Sequence, residues 1–189
     1  MEKRIIIVMN NGIRRPKIVV LTGAESTGKS VLSDALARHY NAPWFPEFAR
    51  DFVLKLDHHY YMDDVISIAR MQRAQMQAAL NLKADIVFFD TWLIITQIWL
   101  KVLYNAEPTW IPKIIRSAPI DLILLCDTDI PWEPDPIREN GGERRNQLSE
   151  IYKRTIENYG FPCQLVQGKG DIRTKNAIDL TNHFLQLKT

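Results

Sequence analysis

Apolar residues in this chain follow two rhythms. Short, almost unbroken hydrophobic runs occur at residues 18–22, 42–46, 85–90, 120–126 and 161–166. Between them lie longer stretches in which apolar residues return every three or four positions. A strand with both faces covered has no polar side to alternate with, so it reads as a continuous apolar run. The pattern therefore predicts about five parallel strands, with helices at 29–40, 47–56, 63–83, 91–104, 112–117, 143–159 and 172–187. Asp63 and Asp64 are expected to cap the long third helix, with Val65, Ile68, Met76, Ala79 and Leu80 on one face. Three prolines in 131–136 rule out regular helix or a central strand there. The expected architecture is α/β, a parallel sheet flanked by helices on both faces.

The joint between the first strand and the first helix carries the most chemistry. Gly23-Ala24-Glu25-Ser26-Thr27-Gly28-Lys29-Ser30 fits the phosphate-loop pattern G-x-x-x-x-G-K-[ST] at every fixed position. Its glycines let the backbone curl so that N–H groups face phosphate oxygens. Lys29 reaches the β- and γ-phosphates, and the Ser30 hydroxyl is a ligand for Mg²⁺. The following helix adds the positive end of its dipole. Residues 23–31, ending at Val31, are thus the expected ATP site.

Composition narrows the class. The chain has 189 residues, 46% hydrophobic and 24% charged, which suits a globular domain. We expect a loose extension or edge strand at 1–16 and a single domain at 17–189. A net charge of +2 gives no basis for a nucleic-acid partner. No apolar stretch approaches the ~20 residues that span a bilayer. Cys126 and Cys163 sit in or beside apolar runs and read as buried thiols of a cytoplasmic protein. The absence of an Asn-Lys-x-Asp segment argues against a GTPase. What remains resembles the small-molecule and nucleoside kinase group, in which a carboxylate near the end of the second strand acts on the acceptor hydroxyl and a lid with arginines closes over the transferring phosphoryl group.

Candidates for each are present. Glu47, Arg50 and Asp51 share one helical face just after the second strand. A carboxylate there can accept the proton of an attacking hydroxyl. Glu47 is the first choice and Asp51 the alternative. Asp90 ends the run Ile86-Val87-Phe88-Phe89 and matches a strand-end carboxylate that serves Mg²⁺ together with Ser30. Asp127 ends a similar run, but it leads into the proline-rich segment. That segment, continuing through Arg138 and Gly141-Gly142 to Arg144-Arg145, has the hinges and guanidinium groups of a lid. Arg138 and Arg144 are its expected catalytic arginines, alongside Lys29.

These residues resemble the ribosylnicotinamide kinase domain of the NadR-type NAD-biosynthesis proteins, a branch of the AAA-like phosphate-loop ATPase/kinase group. The resemblance runs from about Lys17 to the C-terminus. It rests on residues 23–30, on Glu47-Phe48-Ala49-Arg50-Asp51, on Phe88-Phe89-Asp90-Thr91 and on Cys126-Asp127-Thr128-Asp129-Ile130-Pro131-Trp132 with Asp135 and Arg138. Val31 stands where the family usually has threonine. The resemblance implies a nucleoside-kinase-like fold with a lid. It also implies a stand-alone kinase, because the nucleotidyltransferase and helix-turn-helix domains of longer members do not fit in 189 residues. The implied reaction is ATP- and Mg²⁺-dependent phosphorylation of the 5′-hydroxyl of nicotinamide riboside. Kinases for another nucleoside or small metabolite, and an ATP-binding regulator, are the alternatives. The nicotinamide ring is a flat cation suited to an aromatic face. Trp44, Tyr60, Tyr61 and Trp92 flank the acceptor side, while Arg50 and Asp51 are placed to hold ribose hydroxyls. A Gly-rich loop at 168–173 is expected near adenine. The expected partners are ATP and a small nucleoside, with no nucleic acid and no membrane.

Overall fold

The computed structural model describes residues 15–135, 138 and 140–186. The expected N-terminal extension up to residue 14 lies outside the described residues. So do Pro136, Ile137 and Glu139 of the expected lid and Leu187 of the expected last helix. In chain order the elements are β1 (Lys17–Thr22), α1 (Lys29–Tyr40), β2 (Trp44–Phe45), α2 (Phe48–Val53), α3 (Met62–Leu80) and β3 (Ile86–Asp90). They continue with α4 (Leu93–Tyr104), α5 (Trp110–Ser117), β4 (Leu122–Cys126), α6 (Gly142–Tyr159), β5 (Cys163–Val166) and α7 (Gly170–Leu185).

The five strands form one sheet in the order β2-β3-β1-β4-β5, and every neighbouring pair is parallel. Side chains alternate between two separate cores. Ile18, Val20, Val87, Phe89, Ile123 and Leu125 point to one face and pack with residues of α3 through α6. Val19, Leu21, Phe88, Leu122 and Leu124 point to the other and pack with α1 and α7. Both sets are apolar, which is why the strands read as unbroken runs. Among the described residues no helix is long and apolar enough to cross a membrane. Both cysteines are free, Cys126 buried and Cys163 half-buried.

Several boundaries shift by two or three residues, among them the ends of α2 and α3 and the starts of α5, β5 and α7, and two differences have a clear local reason. Tyr61, not an aspartate, is the N-cap of α3, and Asp64 accepts from the Tyr61 N–H at 2.8 Å from within the first turn. The helix expected from residue 91 begins at Leu93. Thr91 has φ +65° and Trp92 is extended, so the chain turns sharply after β3 before the helix starts.

Parallel strands all end on the same side. The segments after β1, β3 and β4 therefore converge at one edge of the sheet, where open α/β sheets bind ligands. The phosphate loop follows β1, Asp90 closes β3 and Asp127 follows β4.

Candidate active site

The phosphate loop is shaped by one close approach and one turn. At Gly23 φ is +138°, and a Cβ there would meet the Cys126 carbonyl oxygen at 2.7 Å. Gly28, at φ +75°, is the left-handed N-cap of α1. Between them, Ser26 also takes a left-handed conformation at φ +56°. Lys29 is buried, and its Nζ donates to the Ala24 carbonyl at 2.8 Å, as does Thr27 Oγ1. Among the described residues, the main-chain N–H groups of Ser26 through Ser30 have no protein acceptor.

Asp90 lies beside this loop and is 1% exposed. Neither of its carboxylate oxygens makes a hydrogen bond of good geometry among the described residues, with the Ser30 hydroxyl nearby, an expensive arrangement for a buried charge. Burial pushes its pKa up, while the Ser30 hydroxyl and the Lys29 charge pull the other way. Thr91 follows with a positive φ, a genuine outlier for a β-branched residue, and its buried Oγ1 also lacks a partner. Such orphaned hard oxygens suit Mg²⁺, which prefers carboxylate and hydroxyl donors and takes its other ligands from phosphate and water. Asp127 presents a different picture. Its carboxylate is engaged by the Thr128 N–H at 2.7 Å and Gln167 Nε2 at 2.8 Å.

A cavity of about 260 Å³ opens over the loop. One end is lined by Gly23, by Glu25 through Val31 and by Arg138. The other is lined by Tyr60, Ile95, Ile98, Trp99, Val102 and Tyr152. Glu47 and Arg50 lie on its wall. Burial is the main cause of a raised Glu47 pKa; Lys29 opposes it and the Asp90 charge reinforces it. A carboxyl so placed is a better base than an ordinary glutamate. Tyr152 is buried, with its pKa raised first by burial and then by the Glu47 and Glu25 charges. The cavity thus combines the carboxylates of Glu25 and Glu47 with aromatic side chains. Tyr60 and Trp99 meet edge to face with centroids 4.8 Å apart.

The proline-rich segment lies against the phosphate loop. Glu25 accepts from the Asn140 N–H at 2.9 Å and from Asn140 Nδ2 at 2.8 Å. The Glu133 N–H donates to Ser26 Oγ at 3.0 Å, and Arg50 pairs with Asp135 at 2.5 Å. Arg138 faces the cavity while donating to the Glu133 carbonyl at 2.7 Å.

Several sequence candidates lie elsewhere. Trp92 is 1% exposed, fixed in the core by Nε1 donating to the Gln72 carbonyl at 2.8 Å. Trp44 packs on the α1 side of the sheet and donates to Ser33 Oγ at 3.0 Å. Neither lines the cavity. Asp51 and Arg144 are exposed and also lie off it, because their positions on α2 and α6 turn them to solvent. Ala24 is buried behind the loop.

Trp99 is absent from the sequence candidates, and Arg145 appears there only as one of the lid's guanidinium groups. Trp99 lies on the cavity face of α4 with Ile95, Ile98 and Val102, at i, i+3, i+4 and i+7. The signal was a helix apolar nearly all round, which has a second face to use after one is buried in the core. Arg145 is buried, whereas Arg144 is exposed. Arg145 shares a helical face with Leu148, Tyr152 and Ile156, so the spacing distinguished the two arginines.

Comparison with known proteins agrees with this geometry. The curated trifunctional NAD biosynthesis/regulator protein NadR of Escherichia coli (strain K12) is 28% identical over 178 residues, covering 89% of this chain and 43% of that protein. The crystal structure of a NadR protein in complex with NR superposes with a TM-score of 0.74 at 27% identity, covering 92% of this chain and 52% of the other. A NadR structure in complex with NAD and AMP-PNP gives a TM-score of 0.70 at 28% identity, covering 92% and 51%. The chain thus spans about half the length of these relatives or less. The AAA domain family model matches residues 18–175, and the chain belongs to that family of phosphate-loop proteins.

Proposed function

We propose that this protein is an ATP-dependent kinase that phosphorylates the 5′-hydroxyl of nicotinamide riboside to give nicotinamide mononucleotide. The observation that carries the reading is one continuous cavity lined by a phosphate loop, by the aromatic side chains of Tyr60, Trp99 and Tyr152 and by the Glu47 carboxyl. Similarity to NadR proteins, one in complex with NR and one with NAD and AMP-PNP, supports it.

The residues divide the work. Main-chain N–H groups of the loop and Lys29 bind the triphosphate. Ser30 and Asp90 would hold Mg²⁺, which when bound neutralises phosphate charge. Glu47 accepts the hydrogen bond of the attacking hydroxyl, orients it and takes its proton as the phosphoryl group transfers. Arg138 meets charge on the transferring group. Tyr60 and Trp99 provide an aromatic surface for the pyridinium ring, and the Glu47 carboxylate on the cavity wall favours a cation there. A reaction that consumes ATP, in a chain without a membrane-spanning helix among the described residues, fits the cytoplasm.

A panel of nucleosides in one coupled assay of ADP release tests the reading. Nicotinamide riboside is expected to accelerate ADP formation more than any neutral nucleoside. Preference for a neutral nucleoside would reassign the acceptor. A slow rate indifferent to every nucleoside would make the protein an ATP-binding regulator.

A further inference from the structure

The carbonyls of the phosphate loop are held from behind by two arginines that the reaction itself does not use. Arg145, from the first turn of α6, donates through Nε to the Glu25 carbonyl at 3.0 Å and through Nη2 to the Ser26 carbonyl at 2.7 Å. Its Nη1 donates to the carbonyls of Ile130 at 2.9 Å and Thr128 at 3.4 Å. Arg173, from α7, donates to the Thr27 carbonyl at 3.0 Å, to the Asp127 carbonyl at 2.9 Å and to the Gly168 carbonyl at 2.8 Å. Together with the Ala24 carbonyl, taken by Lys29 and Thr27, and the Gly28 carbonyl, taken by the Leu32 N–H at 3.0 Å, every carbonyl from 24 to 28 has a donor. A peptide unit whose oxygen is fixed outward presents its N–H inward.

The charges differ as well as the hydrogen bonds. Arg173 pairs with Asp129 at 2.6 Å. Arg145, 6% exposed, has no carboxylate within ion-pair distance among the described residues. Burial and then the neighbouring Arg173 charge push its pKa below the ordinary arginine value, with the Asp127 and Asp129 charges opposing them. A buried cation without a counter-ion is costly unless an anion compensates it. The loop it braces is built to receive one.

We propose that Arg145 and Arg173 are positioning residues that preset the phosphate loop. Arg145 fixes the peptides after Glu25 and Ser26, Arg173 fixes the one after Thr27, and the Arg145 charge, with no carboxylate in ion-pair distance among the described residues, adds to the attraction for phosphate. Arg145 reaches past the loop to the Thr128 and Ile130 carbonyls, and Arg173 to Gly168, so each ties the loop to a neighbouring segment. The proposal rests on the phosphate-loop reading but not on the identity of the acceptor.

The test is equilibrium binding of inorganic triphosphate to the full chain, with nicotinamide riboside binding measured separately and folding followed by thermal melting. Wild type and Lys29→Ala come first, because failure of wild type to bind triphosphate would overturn the phosphate-loop reading itself. Arg145→Gln is expected to weaken triphosphate roughly tenfold or more, a loss of the size of one charge-assisted interaction. Its riboside affinity should change by less than about threefold, a difference of only a few tenths of a kcal/mol. Arg145→Lys keeps the charge but not the fork of donors, so it should fall between wild type and Gln. Should the Gln variant fail to fold, the Lys variant decides. Triphosphate binding equal to wild type in the folded variant would overturn the proposal. Equal weakening of triphosphate and riboside would do so too, because it marks a general structural role.

Discussion

The two ends of the cavity are built on opposite plans. The phosphate end is built chiefly from a single stretch of chain, residues 23–31, whose backbone is proposed to do the binding and whose shape depends on Gly23 fitting against the Cys126 carbonyl. The acceptor end is assembled from side chains of α2, α4, α6 and the segment before α3, spread along the sequence from Ala49 to Tyr152. A backbone site tolerates little change of residue type, because its geometry is dictated by φ and by close approach. A side-chain wall can be rebuilt with other residues while the sheet stays the same. The phosphate end should therefore determine whether chemistry occurs, and the acceptor end what is chosen.

The largest expected effect falls on the phosphate end. Lys29→Ala should lower kcat by about 10³-fold or more, since the phosphates lose their main point charge. The fold should survive, as judged by an unchanged circular dichroism spectrum. Near-wild-type turnover would undo the contrast between the two ends.

Glu47 stands at the boundary and should show it. Glu47→Gln is expected to lower kcat roughly 10²-fold with ATP affinity unchanged. Because burial raises the Glu47 pKa, the wild-type rate should fall on the acid side at a higher pH than an ordinary glutamate would give. Protonation from below removes the base, so the limb descends as pH drops, and it should vanish in the Gln variant. Stability should move the opposite way. A group whose folded pKa is raised favours folding when protonated and loses that contribution as pH rises through the folded value. Glu47→Gln should therefore melt above wild type at neutral pH, with the gap closing in acid. Asp51→Asn, at an exposed position, is the control. If it, and not Glu47→Gln, proved inactive, the base would be Asp51.

A smaller and more selective effect belongs to the acceptor wall. Trp99→Ala should raise KM for the nucleoside about tenfold with little change in KM for ATP, the scale of one desolvated cation–π contact. Trp44→Ala, on the other side of the sheet, should leave KM for the nucleoside unchanged. Equal effects would deny the chamber its role. Smallest of all is the comparison within the lid. Arg138→Gln should lower kcat more than it raises KM for ATP, whereas the exposed Arg144→Gln should alter either by less than about twofold, as is usual for surface charge.

The same contrast explains what could be read from the chain. β1, α1, β3 and β4 were legible because both faces of the sheet are covered and the loop between β1 and α1 is a contiguous pattern. The start of α4 was misplaced because Thr91 adopts a backbone conformation that its residue type disfavours. A strained residue leaves no propensity signal. Trp92 and Trp99 are one and eight residues beyond Thr91; Trp92 is the extended N-cap of α4 and turns into the core, whereas Trp99 lies inside the helix and lines the cavity. Arg144 and Arg145 differ in the same way, one exposed and one braced against the loop. Such distinctions depend on which face of a helix meets which neighbour, which composition and motif do not encode.

The central claim is that the two ends act together on one substrate. Following wild-type protein, ATP, Mg²⁺ and nicotinamide riboside by ³¹P NMR tests it directly. The account predicts a new phosphomonoester signal on the riboside 5′-oxygen, growing in step with ADP and absent when the riboside is omitted. ADP and inorganic phosphate accumulating at the same rate with or without the riboside, and no phosphomonoester, would contradict it.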